Sequence, residues 1–248
     1  MKYACYGKCV NIDFPFAHDE NAPDVVFSFG GDGTMLGAIH KYEGRLDGIK
    51  FVGVNTGKLG FYADFDIDEV EEIFRMLRED DYDLFTINLM EYQLFGIGNV
   101  QQGVAVNDLA LLNPVHTQIM DIYINGKFFE TIRGTGILIS PPAGSTAYNR
   151  SLGGSIIDPA IKAIQLTEVA PISNRVYRSL ASPLVLSEKA VIELHPHSAS
   201  ELYITVDGQL LEFDDLTSIA ARLSEKTVSF IVKKDADFFD RVKRAFIE

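Results

Sequence analysis

The chain has 248 residues, of which 47% are hydrophobic and 23% charged, a globular balance that allows one large domain or two small ones. Its formal net charge of -13 argues against a nucleic-acid partner. A bound nucleotide must then be held by local devices: backbone N–H groups, a few placed Arg or Lys, or a divalent metal.

The N-terminal segment has no apolar h-region, and no stretch approaches the ~20 apolar residues of a membrane span. The two cysteines, Cys5 and Cys9, lack a second ligand pair for zinc and fit a reduced compartment. The expectation is a soluble cytoplasmic protein with no membrane partner.

In chain order, Val25–Phe29 is a short apolar run that reads as a buried parallel strand ending in Gly30-Gly31. A helix is expected from about Thr34 to Tyr42, then a second buried strand at Phe51–Val54. Asp66-Ile67-Asp68-Glu69 has the spacing of a capping box, opening a helix with the apolar stripe Ile67, Val70, Ile73, Phe74 and Leu77.

Beyond Thr86 the pattern turns to strands: Ile87–Phe95, Val104–Leu112, Gln118–Ile124, Phe128–Ile132 and Ile137–Ser140. Asn125-Gly126 is a hairpin signal, since both positions tolerate φ > 0. A helical insert is expected at about Pro159–Glu168, then strands at Ala190–His195, Leu202–Val206 and Thr227–Val232. His195 and His197 alternate in a strand and read as structural. The C-terminus returns to helix, with Phe238, Phe239, Val242, Ala245 and Phe246 on one face. The fold class is an α/β N-terminal domain plus a C-terminal β-sandwich domain. The first spans residues 1–86, completed by the returning helix at about 233–248, and the second spans 87–232.

Three motifs carry chemistry. Gly30-Gly31-Asp32-Gly33-Thr34 lies between a buried strand and a helix, where glycine backbones and a helix N-terminus suit phosphate. A carboxylate there repels phosphate, a conflict that resolves if Asp32 takes a proton from an attacking hydroxyl or holds a magnesium ion. Gly53–Leu59 has the wrong spacing for a Walker A loop, and Gly31-Asp32-Gly33 with Gly37 gives only a loose dinucleotide fingerprint. Asn107-Asp108 puts two polar residues inside an apolar strand, where they need partners. An Asn and a carboxylate suit an adenine edge and ribose hydroxyls; a bulge or edge is the alternative. Pro142–Ser151, followed by Gly153-Gly154, packs small and hydroxylated residues beside Tyr148, which can stack on a flat ring.

In this order and spacing the three motifs resemble the NAD kinase family, with Asn55–Phe61 and Val206-Asp207-Gly208 in support. The resemblance runs from about Asp24 to the C-terminus. The GGDGT segment alone is shared with lipid kinases and, as a close variant, with phosphofructokinases; Thr146-Ala147-Tyr148 narrows it. The resemblance implies phosphorylation of the 2′-hydroxyl of NAD's adenosine ribose, giving NADP. ATP or another donor, such as polyphosphate, would supply the phosphoryl group, with a divalent metal, Mg2+, carried on it. A lipid kinase or a non-catalytic dinucleotide sensor is the competing reading.

Residue by residue, the resemblance makes Asp32 the general base and sets Gly33 against the substrate. Phe61 and Tyr62 flank the adenosine half, and Asn107 and Asp108 bind nucleoside groups. Arg133 is a basic residue near the ligand. Thr146, Ala147, Tyr148, Asn149, Arg150 and Ser151 wrap NAD, and Ala170 contacts the nicotinamide side. Thr135 stands where relatives often carry Asp; it can hydrogen-bond but brings no charge. The opening strand and helix read as abbreviated. A homodimer or homotetramer is implied.

Overall fold

The computed structural model describes residues 1–8, 12–57, 60–199 and 201–248. The expectations resting on Cys9 and on Lys58-Leu59 lie outside the described residues. In chain order the elements are β1 (Lys2–Gly7), β2 (Ala17–His18), β3 (Val25–Phe29), α1 (Asp32–Lys41), β4 (Lys50–Asn55), β5 (Phe65–Asp66), α2 (Val70–Glu79), β6 (Asp83–Gly96), β7 (Val100–Ala105) and β8 (Leu109–Leu112). There follow β9 (Gln118–Ile124), β10 (Lys127–Gly134), β11 (Gly136–Ser140), α3 (Tyr148–Ser151), β12 (Ala163–Val169), β13 (Leu184–Ser187), β14 (Val191–Pro196), β15 (Tyr203–Val206), β16 (Gln209–Leu211), β17 (Leu216–Val232) and α4 (Phe238–Phe246). The chain divides into two compact units, Met1–Ile87 with Lys226–Glu248, and Asn88–Glu225.

The first unit is built on a parallel sheet. β3 pairs with β1 on one side and β4 on the other, and β4 pairs with β5 and with Ser229–Phe230 of β17. Every residue of β3 is buried, as expected of a parallel strand covered on both faces. α1 packs on β1 and β3 through Met35, Leu36, Ala38 and Ile39. α2 buries Val70, Ile73, Phe74, Met76 and Leu77 against Phe27, Phe29, Val52 and Phe65.

The capping box opens that helical segment: the Asp66 N–H donates to Glu69 Oε2 at 2.9 Å. Ile67, expected on the buried stripe, is 42% exposed because it sits in the short 3-10 turn before α2. β1 corrects the expectation of an abbreviated opening strand: it is six residues long, five of them in parallel register with β3. The loops after β3 and β4 leave the carboxyl ends of parallel strands, the edge where open α/β sheets place ligands.

In the second unit β10, β9, β14 and the first part of β17 form one antiparallel series. The order β13-β12-β11-β8-β15-β16 forms a second sheet. Inner residues of both series, among them Met120, Ile122, Ile192, Ile219, Leu109, Ile137, Ile164 and Ile204, share one core, which makes the unit a β-sandwich. Asn125 and Gly126 take φ of 53° and 71° in the β9–β10 turn.

Two expectations are corrected here. Val104–Leu112 is not one strand: β7 ends at Ala105, the chain bends, and β8 begins at Leu109. The segment expected as a helical insert at Pro159–Glu168 becomes β12, fully buried along its length. Its polar residues misled the pattern. Gln165 is paired with both backbone groups of Ser155, Thr167 donates to Asn149 Oδ1, and Glu168 accepts from the Ala181 N–H, so they tolerate burial.

Candidate active site

Asp32 opens α1, directly after the N-cap Gly31. Its carboxylate is held on both oxygens: the Phe61 N–H donates to Oδ2 and the Tyr62 N–H to Oδ1, each at 3.0 Å. Gly60 makes that approach possible, because a Cβ there would lie 2.2 Å from Asp32 Oδ1. Gly31 and Gly33 differ, since a Cβ on either would meet no atom within 4 Å. Asn55, 7% exposed at the end of β4, ties the following turn by accepting from the Gly57 N–H at 3.0 Å.

The expected pair Phe61 and Tyr62 thus serves Asp32 through backbone. The Tyr62 ring is buried and stacked on Phe230 at 5.0 Å, which removes it as an exposed stacking surface. The Phe61 ring lies 5.6 Å from Phe246 and 6.4 Å from Phe238 of α4. Asp237 caps that helix by accepting from the Phe239 N–H. Phe238 and Arg241 are its buried residues, while Phe239 and Ala245, expected on the apolar face, are exposed.

In the second unit Asn107 and Asp108 occupy the bend between β7 and β8. The bend is organised by Asp207, in the turn after β15 with φ of 51°. Its carboxylate accepts from the N–H groups of Val106 at 2.9 Å, Asn107 at 2.6 Å and Asp108 at 3.1 Å. The Asn107 carbonyl accepts from Ser140 Oγ and lies so close to Gly144 that a Cβ there would be 1.7 Å away.

The Asp108 carboxyl is 5% exposed, and burial first, then the Asp207 charge, pushes its pKa up to about 7. Asp207 was legible only as part of a resembling segment. The signal for its role was Asp-Gly at a hairpin, a residue free to take φ > 0 with a carboxylate to spare.

The Thr146–Ser151 run folds as a 3-10 turn over Pro142–Thr146 followed by α3. Ser145 is fully buried and accepts from the Ile157 N–H at 3.0 Å. Asn149 is also fully buried and engaged by Thr167, so it shapes the loop from inside. Tyr148 is 39% exposed, and Arg150 and Ser151 are exposed. Thr146 and Ala147 are half-buried beside them.

The remaining expected residues form a separate group. Thr135 donates its N–H to the Val169 carbonyl and accepts from the Asn113 N–H. Ala170 holds φ of 46°, a strained value for a residue with a Cβ, with its carbonyl beside Gly134. The Arg133 guanidinium lies 4.3 Å from the Tyr177 ring centroid, and its carbonyl accepts from the Ile172 N–H. The expected residues therefore fall into three clusters: Asp32 with 60–62, the 107–108 bend with Gly144 and the 146–151 run that follows it, and 133–135 with 169–172.

Among the described residues no group of three or more His, Cys, Asp or Glu could hold a metal ion. No described helix is long and apolar enough to cross a membrane.

Comparison with known proteins points to one family. The ATP-NAD kinase N-terminal domain matches residues 12–82, and the ATP-NAD kinase C-terminal domain matches residues 108–231. NAD kinase 1 of Bacillus cereus is 41% identical over 238 residues, covering 95% of this chain and 90% of that protein. NAD kinase of Latilactobacillus sakei is 39% identical over 238 residues, with 95% and 89% covered. The crystal structure of yeast NADH kinase complexed with NADH superposes with a TM-score of 0.83 at 25% identity, covering 94% of this chain and 70% of that one.

Proposed function

The chain belongs to the NAD kinase family, and from that premise we propose that it phosphorylates the 2′-hydroxyl of NAD's adenosine ribose to give NADP. The observation that carries the chemical reading is the Asp32 carboxylate, oriented by two backbone N–H donors and flanked by glycines open to solvent. A Cβ at Gly31 or Gly33 would meet no described residue beyond its own chain neighbours and helix backbone within 4 Å, which leaves room there for a ligand.

Asp32 takes the proton of the ribose 2′-hydroxyl while that oxygen attacks the γ-phosphorus of the donor and the bond to the leaving nucleoside diphosphate breaks. The Phe61 and Tyr62 N–H groups fix the carboxylate while each oxygen keeps a further lone pair for the hydroxyl. The α1 N-terminus and the 30–34 backbone favour negative charge on the transferring group. A divalent ion, Mg2+, would be carried in with the phosphoryl donor and would neutralise charge on the transferring group.

On the acceptor side, Asn107 and Asp108 bind the nucleoside groups, and Phe61 and Tyr62 border the adenosine half. Thr146, Ala147, Tyr148, Arg150 and Ser151 enclose the dinucleotide, with Tyr148 the exposed ring and Asn149 the buried support. Arg133, Thr135 and Ala170 take the nicotinamide side. We read the enzyme as a cytoplasmic homodimer or homotetramer.

The test is NADP formation by the purified protein, with ATP, a second nucleoside triphosphate and polyphosphate as donors, and NAD, NADH and diacylglycerol as acceptors. The reading expects a dinucleotide product from at least one donor. Phosphorylation of diacylglycerol alone, or binding of NAD with no product from any donor, would refute it.

A further inference from the structure

We propose that the C-terminal helix α4 is a brace for the Asp32 carboxylate, with Arg241 and Phe246 as positioning residues for phosphoryl transfer. The proposal rests on the reading of Asp32 as the base. Seven contacts within the first unit carry it. The two donors that orient Asp32 are the backbone N–H groups of Phe61 and Tyr62. Phe61 packs its ring between Phe238 and Phe246, at the two ends of α4. Tyr62 stacks on Phe230 of β17. Two residues on, Asp64 is paired with Arg241 at 2.5 Å, and the Arg241 guanidinium also lies 4.5 Å from the Phe85 ring centroid.

The segment that holds Asp32 is thus clamped on side chains at 61, 62 and 64, and two of the three clamps are supplied by α4. Arg241 acts on Asp32 through this segment, by way of Asp64.

Stability alone does not explain this choice of residues. The Arg241 and Asp64 side chains are 5% and 10% exposed, and a buried ion pair loses in desolvation much of what it gains in attraction. Burial pushes the Asp64 carboxyl up, and Arg241 opposes that shift. Arg241 Nε is buried with no hydrogen-bond partner, a further cost. Apolar residues at both 64 and 241 could dock the helix without either penalty. What the fork-shaped guanidinium adds is a fixed direction and register for Asp64, and with it for the N–H groups at 61 and 62. Misplacing a reacting group by about 1 Å can cost on the order of 10²-fold in rate, so a helix remote from the ligand can set turnover.

The experiment compares wild type, Phe246→Ala, Phe246→Leu, Arg241→Lys and Asp32→Asn by steady-state kinetics and by amide hydrogen exchange of residues 60–64. Phe246 lies at the helix end, and Arg241→Lys keeps the charge while losing the fork, so folding is retained where Arg241→Met would endanger it. The expected result in Phe246→Ala and Arg241→Lys is a fall in kcat of about 10-fold with KM for NAD and ATP nearly unchanged. Exchange at 61 and 62 rises in both, and Phe246→Leu recovers most of the lost turnover. Wild-type kcat in both variants, or unchanged exchange at 61 and 62, overturns the brace. Asp32→Asn separates the two failures: lost turnover there with wild-type turnover in Phe246→Ala sinks the brace alone. Wild-type turnover in Asp32→Asn sinks the base and the brace together.

Discussion

The two units prepare their candidate residues by opposite means. In the first, a single carboxylate is presented by backbone: Asp32 sits on a helix N-terminus, receives two main-chain N–H bonds and needs one glycine, Gly60, to be reached. In the second, a carboxylate does the holding. Asp207 gathers three N–H groups of the 106–108 bend, and buried Ser140, Ser145 and Asn149 tie the neighbouring loops. The first arrangement leaves its carboxylate half-exposed; the second spends its carboxylate on shape. The difference teaches that a carboxylate in a loop is not by itself chemistry: which groups it accepts from tells a presented acid from a structural acceptor.

Removing the structural acceptor should have the largest effect. Asp207→Ala strands three backbone donors, and at roughly 1–3 kcal/mol each it should destabilise the second unit by about 5 kcal/mol. Urea denaturation measures this, and Asp207→Asn, which retains one acceptor oxygen, should lose less. If Asp207→Ala unfolds at the wild-type midpoint, the contrast between the units is wrong.

Asp108 sharpens the same comparison through pH. Its folded pKa of about 7 stands above the ordinary aspartate value of 3.8, so between those values the folded state binds more protons than the unfolded state. Its contribution to stability is therefore fully present below about pH 4 and is lost as pH rises through 7, amounting to roughly 4 kcal/mol. Melting temperatures of wild type and Asp108→Asn should diverge across that window, with the variant gaining at pH 8. Parallel curves would contradict it.

In the first unit Gly60→Ala places a methyl 2.2 Å from Asp32 Oδ1. It should lower kcat on the order of 10²-fold while circular dichroism stays native. Normal turnover would mean that the carboxylate's position is not what matters. Thr135→Asp should have the smallest effect, a fall of about 5-fold in KM for NAD with kcat unchanged, since it restores one partly exposed charge-assisted hydrogen bond. A rise in KM would remove Thr135 from the nicotinamide side.

Much of the fold was legible where period and burial agree. Val25–Phe29 and Gln118–Ile124 appear with the bounds their apolar patterns predict, and Asn125-Gly126 turns as its two residue types require. Legibility failed where tertiary partners override local pattern. Ala163–Val169 carries Gln165, Thr167 and Glu168, which look like a helix's solvent face until loops 10 to 18 residues away supply their hydrogen bonds. The bend at 106–108 was read as strand because Asp207, which makes it, lies about 100 residues further on. The GGDGT loop could be read from local glycine chemistry. That Phe61 and Tyr62 act on Asp32 through backbone, with Gly60 yielding the space, could not, since main-chain donors leave no residue-type signature.

Asp32 is proposed to take the proton of the ribose 2′-hydroxyl of a dinucleotide acceptor. The direct measurement is NADP formation and NAD affinity in wild type and Asp32→Asn, at saturating donor and metal. The account predicts NAD binding within about twofold of wild type and turnover reduced by about 10²–10⁴-fold. Turnover by Asp32→Asn at the wild-type rate would contradict it.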